Sequence, residues 1–143
     1  MGTSYEADVI VWAREQVALL RSGKLMEIDI AHIAEEIEDA GKSEKRELSS
    51  RMAVLLCHLL KWRYQPERRS TSWQRTIKEQ RRAIALPLKE TPSLNSSLTE
   101  QDWLASTWSD SITKTIEKTG LDILPEAFPW TMNQVLAQDF FPE

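Results

Sequence analysis

Residues 44–63 read EKRELSSRMAVLLCHLLKWR. Within this stretch Leu48, Met52, Leu55, Leu59 and Trp62 succeed one another at spacings of four, three, four and three residues, the periodicity of one helix face. Ala53, Val54, Leu56, Cys57 and Leu60 add apolar surface on most other sides. A helix that is apolar nearly all round is buried on several sides. Residues 44–63 are therefore expected to form the central helix of a compact all-α bundle of about five to six helices.

Helix signals continue outward in both directions, and strand alternation is nearly absent. Upstream, Ser43 is expected to cap the central helix, and Gly41 to close a preceding one. That preceding helix starts at the N-cap Asp29 and carries Ile30, Ile33, Ala34 and Ile37 on one face. A first helix is expected from a Thr3/Glu6 capping box, with Tyr5, Val9, Trp12, Gln16, Leu19 and Leu20 at helical spacing and Gly23 in the left-handed position after its end.

Downstream, Pro66 ends the central helix and Ser70 or Ser72 opens another, striped by Trp73, Ile77, Gln80 and Ile84. Pro87 should end or kink it, because proline lacks the N–H and crowds the carbonyl four residues back. Thr91-Pro92 reads as a fresh helix start with Pro at the first helical position. Thr99 with Asp102 is expected to cap a helix carrying Leu104, Trp108, Ile112 and Ile116 and ending at Gly120. A loop follows over Leu121–Pro129. Thr131 with Gln134 then forms a capping box, stapled by Trp130 and Val135, for a short last helix.

The chain has 143 residues, 41% of them hydrophobic and 28% charged, which suits one globular domain over 1–143 with a real core. There is no internal repeat and no low-complexity linker. The single Cys57 excludes an intramolecular disulfide and fits a reducing compartment. The N-terminus has early acidic residues and no basic n-region, so no secretory signal is expected. No run approaches the roughly 18 apolar residues of a membrane span. A cytoplasmic location is the expectation, with no membrane partner.

Charge is segregated. Residues 1–47 carry 11 acidic and 6 basic side chains, residues 61–82 carry 2 and 8, and residues 98–143 carry 8 and 2. Arg75, Lys78 and Arg82 share the helix face opposite Trp73, Ile77 and Ile84, with Arg68 and Arg69 just upstream. This basic face could meet an acidic protein partner or a second copy of the chain. It could also contact phosphates, with Tyr64 or a Trp stacking on bases, although the acidic pI of about 5.3 disfavours a dedicated nucleic-acid binder. If Trp103, which lies off its helix's stripe, is exposed, it would mark a protein contact.

Catalytic signals are sparse. His58 lies beside Trp62 on the margin of the central stripe, and Glu36 lies beside the Ile33/Ile37 stripe, so a cleft of Glu36, His58, Lys61, Trp62 and Trp73 is the candidate functional site. An enzyme or metal protein would centre on His58 and Glu36. The competing reading of His58 is a buried histidine with satisfied nitrogens. No metal site is expected. Di-iron bundles use Glu-x-x-His, but Leu55 stands where that glutamate would be. Asp29-x-x-His32 has the spacing, yet Asp29 is better explained as a cap. Cys57 and His58 diverge on a helix as sequence neighbours. The glycines at 2, 23, 41 and 120 form no phosphate-cradling loop, and no cofactor is expected. A non-enzymatic interaction module is the leading expectation.

His58-Leu59-Leu60-Lys61-Trp62, with Gln65-Pro66-Glu67-Arg68-Arg69-Ser70, Ser72-Trp73, Thr76-Ile77 and Gln80-Arg81-Arg82, resembles the bacterial domain of unknown function twenty-nine family, frequent in cyanobacteria. Trp12, Ile28-Asp29, Glu35-Glu36-Ile37-Glu38, Gly41, Pro92-Ser93-Leu94 and Pro129-Trp130-Thr131 extend the likeness over almost the whole chain. The resemblance implies a small all-helical fold and brings no activity, cofactor or catalytic residues with it.

Overall fold

A computed structural model describes residues 2–143, and Met1 lies outside the described residues. Its elements are α1 (Val9–Arg21), α2 (Ile30–Tyr64), a 3-10 turn at Pro66–Arg68, α3 (Thr71–Glu90), a 3-10 segment at Pro92–Thr99, α4 (Gln101–Thr119) and α5 (Met132–Leu136). No strand occurs among the described residues, so the all-α class holds. Among the described residues no helix is long and apolar enough to cross a membrane. The chain divides into two compact units, one ending at Ser43 and the other spanning Glu44–Glu143.

The expected central helix is the second half of a longer one. Residues 30–64 form a single helix of 35 residues, with no break at Gly41 or Ser43. Glycine ends a helix when the chain turns left-handed, and among the described residues only Gly23 and Gly120 have positive φ. Around Gly41 the sequence is rich in Glu, Lys, Ala and Arg, good helix formers that outweigh one glycine's cost of about 1 kcal/mol. The Glu47–Arg51 pair at 3.1 Å braces the next turns.

In the second unit, Met52, Leu55, Leu56, Leu59 and Leu60 of α2 are wholly buried, as the all-round apolar pattern requires. Ile77 and Ile84 of α3, Leu94, Trp108, Trp130 and Val135 complete the core. The α4 face differs from the expected stripe. Ile116 is exposed, while Thr107, Ser111 and Thr115 are fully buried beside Trp108. Each hydroxyl is satisfied within α4, Thr107 donating to Trp103 O (2.8 Å), Ser111 to Trp108 O (2.7 Å) and Thr115 to Ser111 O (2.7 Å). Small, internally satisfied side chains let the α4 backbone approach its neighbour at little desolvation cost, and Thr107 pairs with Ser49 of α2 at 2.9 Å. Trp103 is not free either, being half-buried against the core.

Several caps are as read: Ser70 for α3, Gly120 in the left-handed region after α4, and the Thr131/Gln134 box for α5. Others shift. The cap of α1 is Asp8, whose carboxylate accepts from Ile10 and Val11 N–H, both at 3.1 Å. Thr3 is instead bonded to Glu15 and Glu6 to His32. Glu100, not Thr99, precedes α4, because the Thr99 hydroxyl donates to Ser96 O in the 3-10 segment. Pro87 does not end α3, which runs on to Glu90.

In the first unit, Trp12 and Gln16 are the buried residues of α1. Trp12 donates its indole N–H to Asp29 (3.0 Å), and the Gln16 side chain accepts from the Asp29 N–H (2.7 Å). Tyr5 stacks on His32, its ring centroid 4.3 Å away. The apolar stripe expected on the start of α2 is left open, with Ile30 70% and Ile37 69% exposed.

Candidate functional site

The five residues expected to line one cleft fall in both units, Glu36 in the first and His58, Lys61, Trp62 and Trp73 in the second. Glu36 belongs to the first unit, where it accepts a hydrogen bond from the Tyr5 hydroxyl. That bond holds the phenol up to a pKa of about 12. His58, half-buried in the second unit, donates from Nδ1 to Val54 O at 2.9 Å, a bond within its own helix. Burial pushes its pKa down, and the nearby Lys61 and Lys118 ammonium groups add to that. The carbonyl partner fixes the Nδ1 proton, and the depressed pKa favours the neutral ring.

Of the other three cleft residues, Lys61 and Trp73 meet each other and Trp62 is engaged elsewhere. Lys61 lies over the Trp73 ring with Nζ 5.1 Å from its centroid, and burial lowers its pKa. Trp62 sits between the Arg69 guanidinium, 5.0 Å from its ring, and Phe141, 5.0 Å from centroid to centroid.

The basic face divides into two groups. Arg69 is committed internally, its Nε donating to Trp62 O (2.7 Å) and its terminal nitrogen to Pro142 O (3.4 Å). Arg68, Arg75, Lys78 and Arg82 remain exposed. Arg82 reaches Glu79 at 2.7 Å, while Arg75 and Lys78 take part in none of the ion pairs of the described residues. Lys78 and Arg82 line two clefts on this side of α3. One, of about 590 Å³, is completed by Arg81, Ala85, Leu136, Gln138 and Asp139. The other, of about 320 Å³, adds Thr71, Gln74, Arg75 and Glu79.

The wall of the larger cleft rests on a residue left out of the expected face. Arg81 is only 5% exposed. It donates to Val135 O (2.8 Å), Gln138 O (3.3 Å) and Phe140 O (2.6 Å), and its guanidinium lies 5.4 Å from the Phe141 ring centroid. The chain after α5 is irregular, so its carbonyls lack helical donors, and a planar five-donor fork can serve several at once. Burial lowers the Arg81 pKa, with Asp139 opposing. The signal was present in the spacing: Arg81 follows Ile77 by four residues and precedes Ile84 by three, on the core stripe itself.

A second polar cluster surrounds His32. Its Nδ1 lies 2.7 Å from Asp29 and its Nε2 3.1 Å from Glu6. Carboxylates on both nitrogens favour the doubly protonated ring, and the His32 pKa is raised, chiefly by Asp29. Asp29 is held low by the same bond, with the Trp12 indole N–H contributing. The two nitrogens point to different carboxylates, so the cluster is an N-cap brace in which Asp29 also accepts from the His32 backbone N–H.

A family model described as "Domain of unknown function DUF29" matches residues 4–141. No curated protein and no solved structure matches the chain.

Proposed function

The chain belongs to the DUF29 family, a domain of unknown function, and from that premise we propose that it is a non-enzymatic protein-interaction module that receives an acidic partner segment on the outer face of α3. One observation carries this reading: Arg75 and Lys78 stand exposed along two adjoining clefts and take part in none of the ion pairs of the described residues. Exposed cations beside a concave surface steer an anionic partner and set its register. The apolar stretch of Ala85 and Leu136 in the larger cleft gives such a segment something to bury. A cytoplasmic setting is part of the same reading.

The test compares proteins retained from native lysate by the wild-type chain and by an Arg75→Glu/Lys78→Glu/Arg82→Glu variant with unchanged helicity. An acidic partner retained only by the wild type is the expected result. Identical partner sets overturn the proposal. The competing use of the same face, phosphate contact, predicts a gel shift with DNA or RNA at low salt that weakens steeply as salt rises.

A further inference from the structure

The residues before α1 form no helix of their own, so side chains decide how they are held. Thr3 donates its N–H and its hydroxyl to Glu15, at 2.7 and 3.1 Å. The Tyr5 hydroxyl donates to Glu36, and its ring lies flat on His32 and edge-on to Trp12. Asp8 is fixed as the cap of α1. Between these ties, Glu6 meets His32 Nε2 at 3.1 Å.

His32 thus joins two parts of the chain. Its Nδ1 faces Asp29, the residue before α2, at 2.7 Å, while its Nε2 faces the N-terminal segment. A neutral imidazole has one N–H and one lone pair. It can donate to one of these carboxylates and must turn its lone pair to the other. Only the doubly protonated ring satisfies both.

The two carboxylates are not equivalent. Asp29 is 32% exposed and also accepts from the Trp12 indole at 3.0 Å and from the His32 backbone N–H. Glu6 is 72% exposed and takes part in no other ion pair of the described residues. When the ring gives one proton to water, the N–H therefore stays at Nδ1, on Asp29. The Nε2 lone pair is then left facing the Glu6 carboxylate, two acceptors in repulsion, and Glu6 is free to turn into water. The ring beneath Tyr5 also loses its charge, and with it the attraction of a cation for an aromatic face.

The groups acting on the ring are Tyr5 and Glu6 of the N-terminal segment, Asp29, and Glu35 of α2, while α1 presents only the uncharged edge of Trp12. Asp29 chiefly raises the His32 pKa against burial, with Glu6 and Glu35 adding, so the change falls above about pH 6.5. Tyr5, held up to about 12, keeps its proton throughout.

We propose that His32 is a pH-operated clasp for the segment Thr3–Ala7: the doubly protonated ring pins the segment to the start of α2, and the neutral ring releases Tyr5 and Glu6. Release uncovers Trp12, which is 4% exposed with Tyr5 against it. The clasp lies within the first unit, whereas the basic face of α3 belongs to the second.

Cα–Hα order parameters of the full chain at about pH 5.5 and about pH 8.5, with the imidazole titration in parallel, test this. Ser4–Ala7 should be as ordered as α1, about 0.85, at the lower pH and fall below about 0.6 at the higher. The midpoint should coincide with the His32 titration. Glu6→Gln should keep the segment ordered at both pH values, because its amide can donate to the neutral Nε2. His32→Phe keeps a ring beneath Tyr5 but holds no carboxylate, so the segment should be loosened at both, with helicity unchanged. Equal order of the wild type at the two pH values overturns the proposal. So does loosening that follows the His58 titration, a Glu6→Gln segment that loosens as the wild type does, or a His32→Phe segment that stays ordered.

Discussion

Arg81→Ala removes the donor for three carbonyls at once, and this makes it the most informative single substitution. The Val135, Gln138 and Phe140 carbonyls lose a buried partner, so a loss of about 2–4 kcal/mol is expected by chemical denaturation. The residues after α5 should then be cleaved early in limited proteolysis. Arg81→Lys should rescue only part, since an ammonium cannot span three acceptors in one plane. The two histidines make an opposed pair. His32, raised by Asp29, contributes stability that is complete below about pH 6.5 and is lost as pH rises through its folded pKa. Asp29, held low, contributes above about pH 3.9 and loses that as pH falls through its folded pKa. His58, lowered by burial, contributes above about pH 6.5 and loses that as pH falls through its folded pKa. NMR titration of the two imidazoles should give midpoints on opposite sides of about 6.5. Midpoints on the same side would remove this account. Of these residue-scale features, the Asp29 cap and the bond from His58 to Val54 O follow from local sequence. The partners of Arg81 do not, because they lie more than 50 residues away along the chain.

At the scale of elements, glycine separates the two readings of α2. Gly41 lacks a positive φ, and a Cβ there meets nothing within 4 Å. Gly41→Ala should therefore stabilise the chain by about 0.5–1 kcal/mol, through helix propensity and a less disordered unfolded state. A helix ending at Gly41 would give the opposite sign. Gly120, at φ 72°, is the internal control, and Gly120→Ala should destabilise by about 1 kcal/mol. Thermal melts of the two variants should move in opposite directions. Element existence was legible throughout: each apolar-periodic stretch is helical, and the caps Ser70, Gly120 and Thr131 stand where their side chains or conformations predict. The errors at Thr3, Thr99 and Gly41 share a cause. A capping side chain or a glycine offers a boundary, and a competing local partner decides whether it is used.

At the scale of the whole molecule, stability is expected to be uneven. The first unit buries two residues of α1, whereas α2 contributes eight buried residues to the second. Hydrogen exchange should find the Met52–Leu60 amides opening only with global unfolding, and those of α1 opening at a lower free energy. Equal protection in both would show that the first unit is held as firmly as the core. The sequence by itself determined the all-α class, the buried stretch from Leu48 to Leu60 and the ends of most helices, because apolar periodicity and capping act over a few residues. Only the tertiary structure decided the rest. It ran α2 unbroken through Gly41, turned Thr107, Ser111 and Thr115 of α4 inward in place of Ile116, and set Arg81 on the carbonyls after α5. It also left the Ile30/Ile37 stripe uncovered. Each of those outcomes depends on which surfaces meet, and periodicity reports that a face is apolar without naming what covers it.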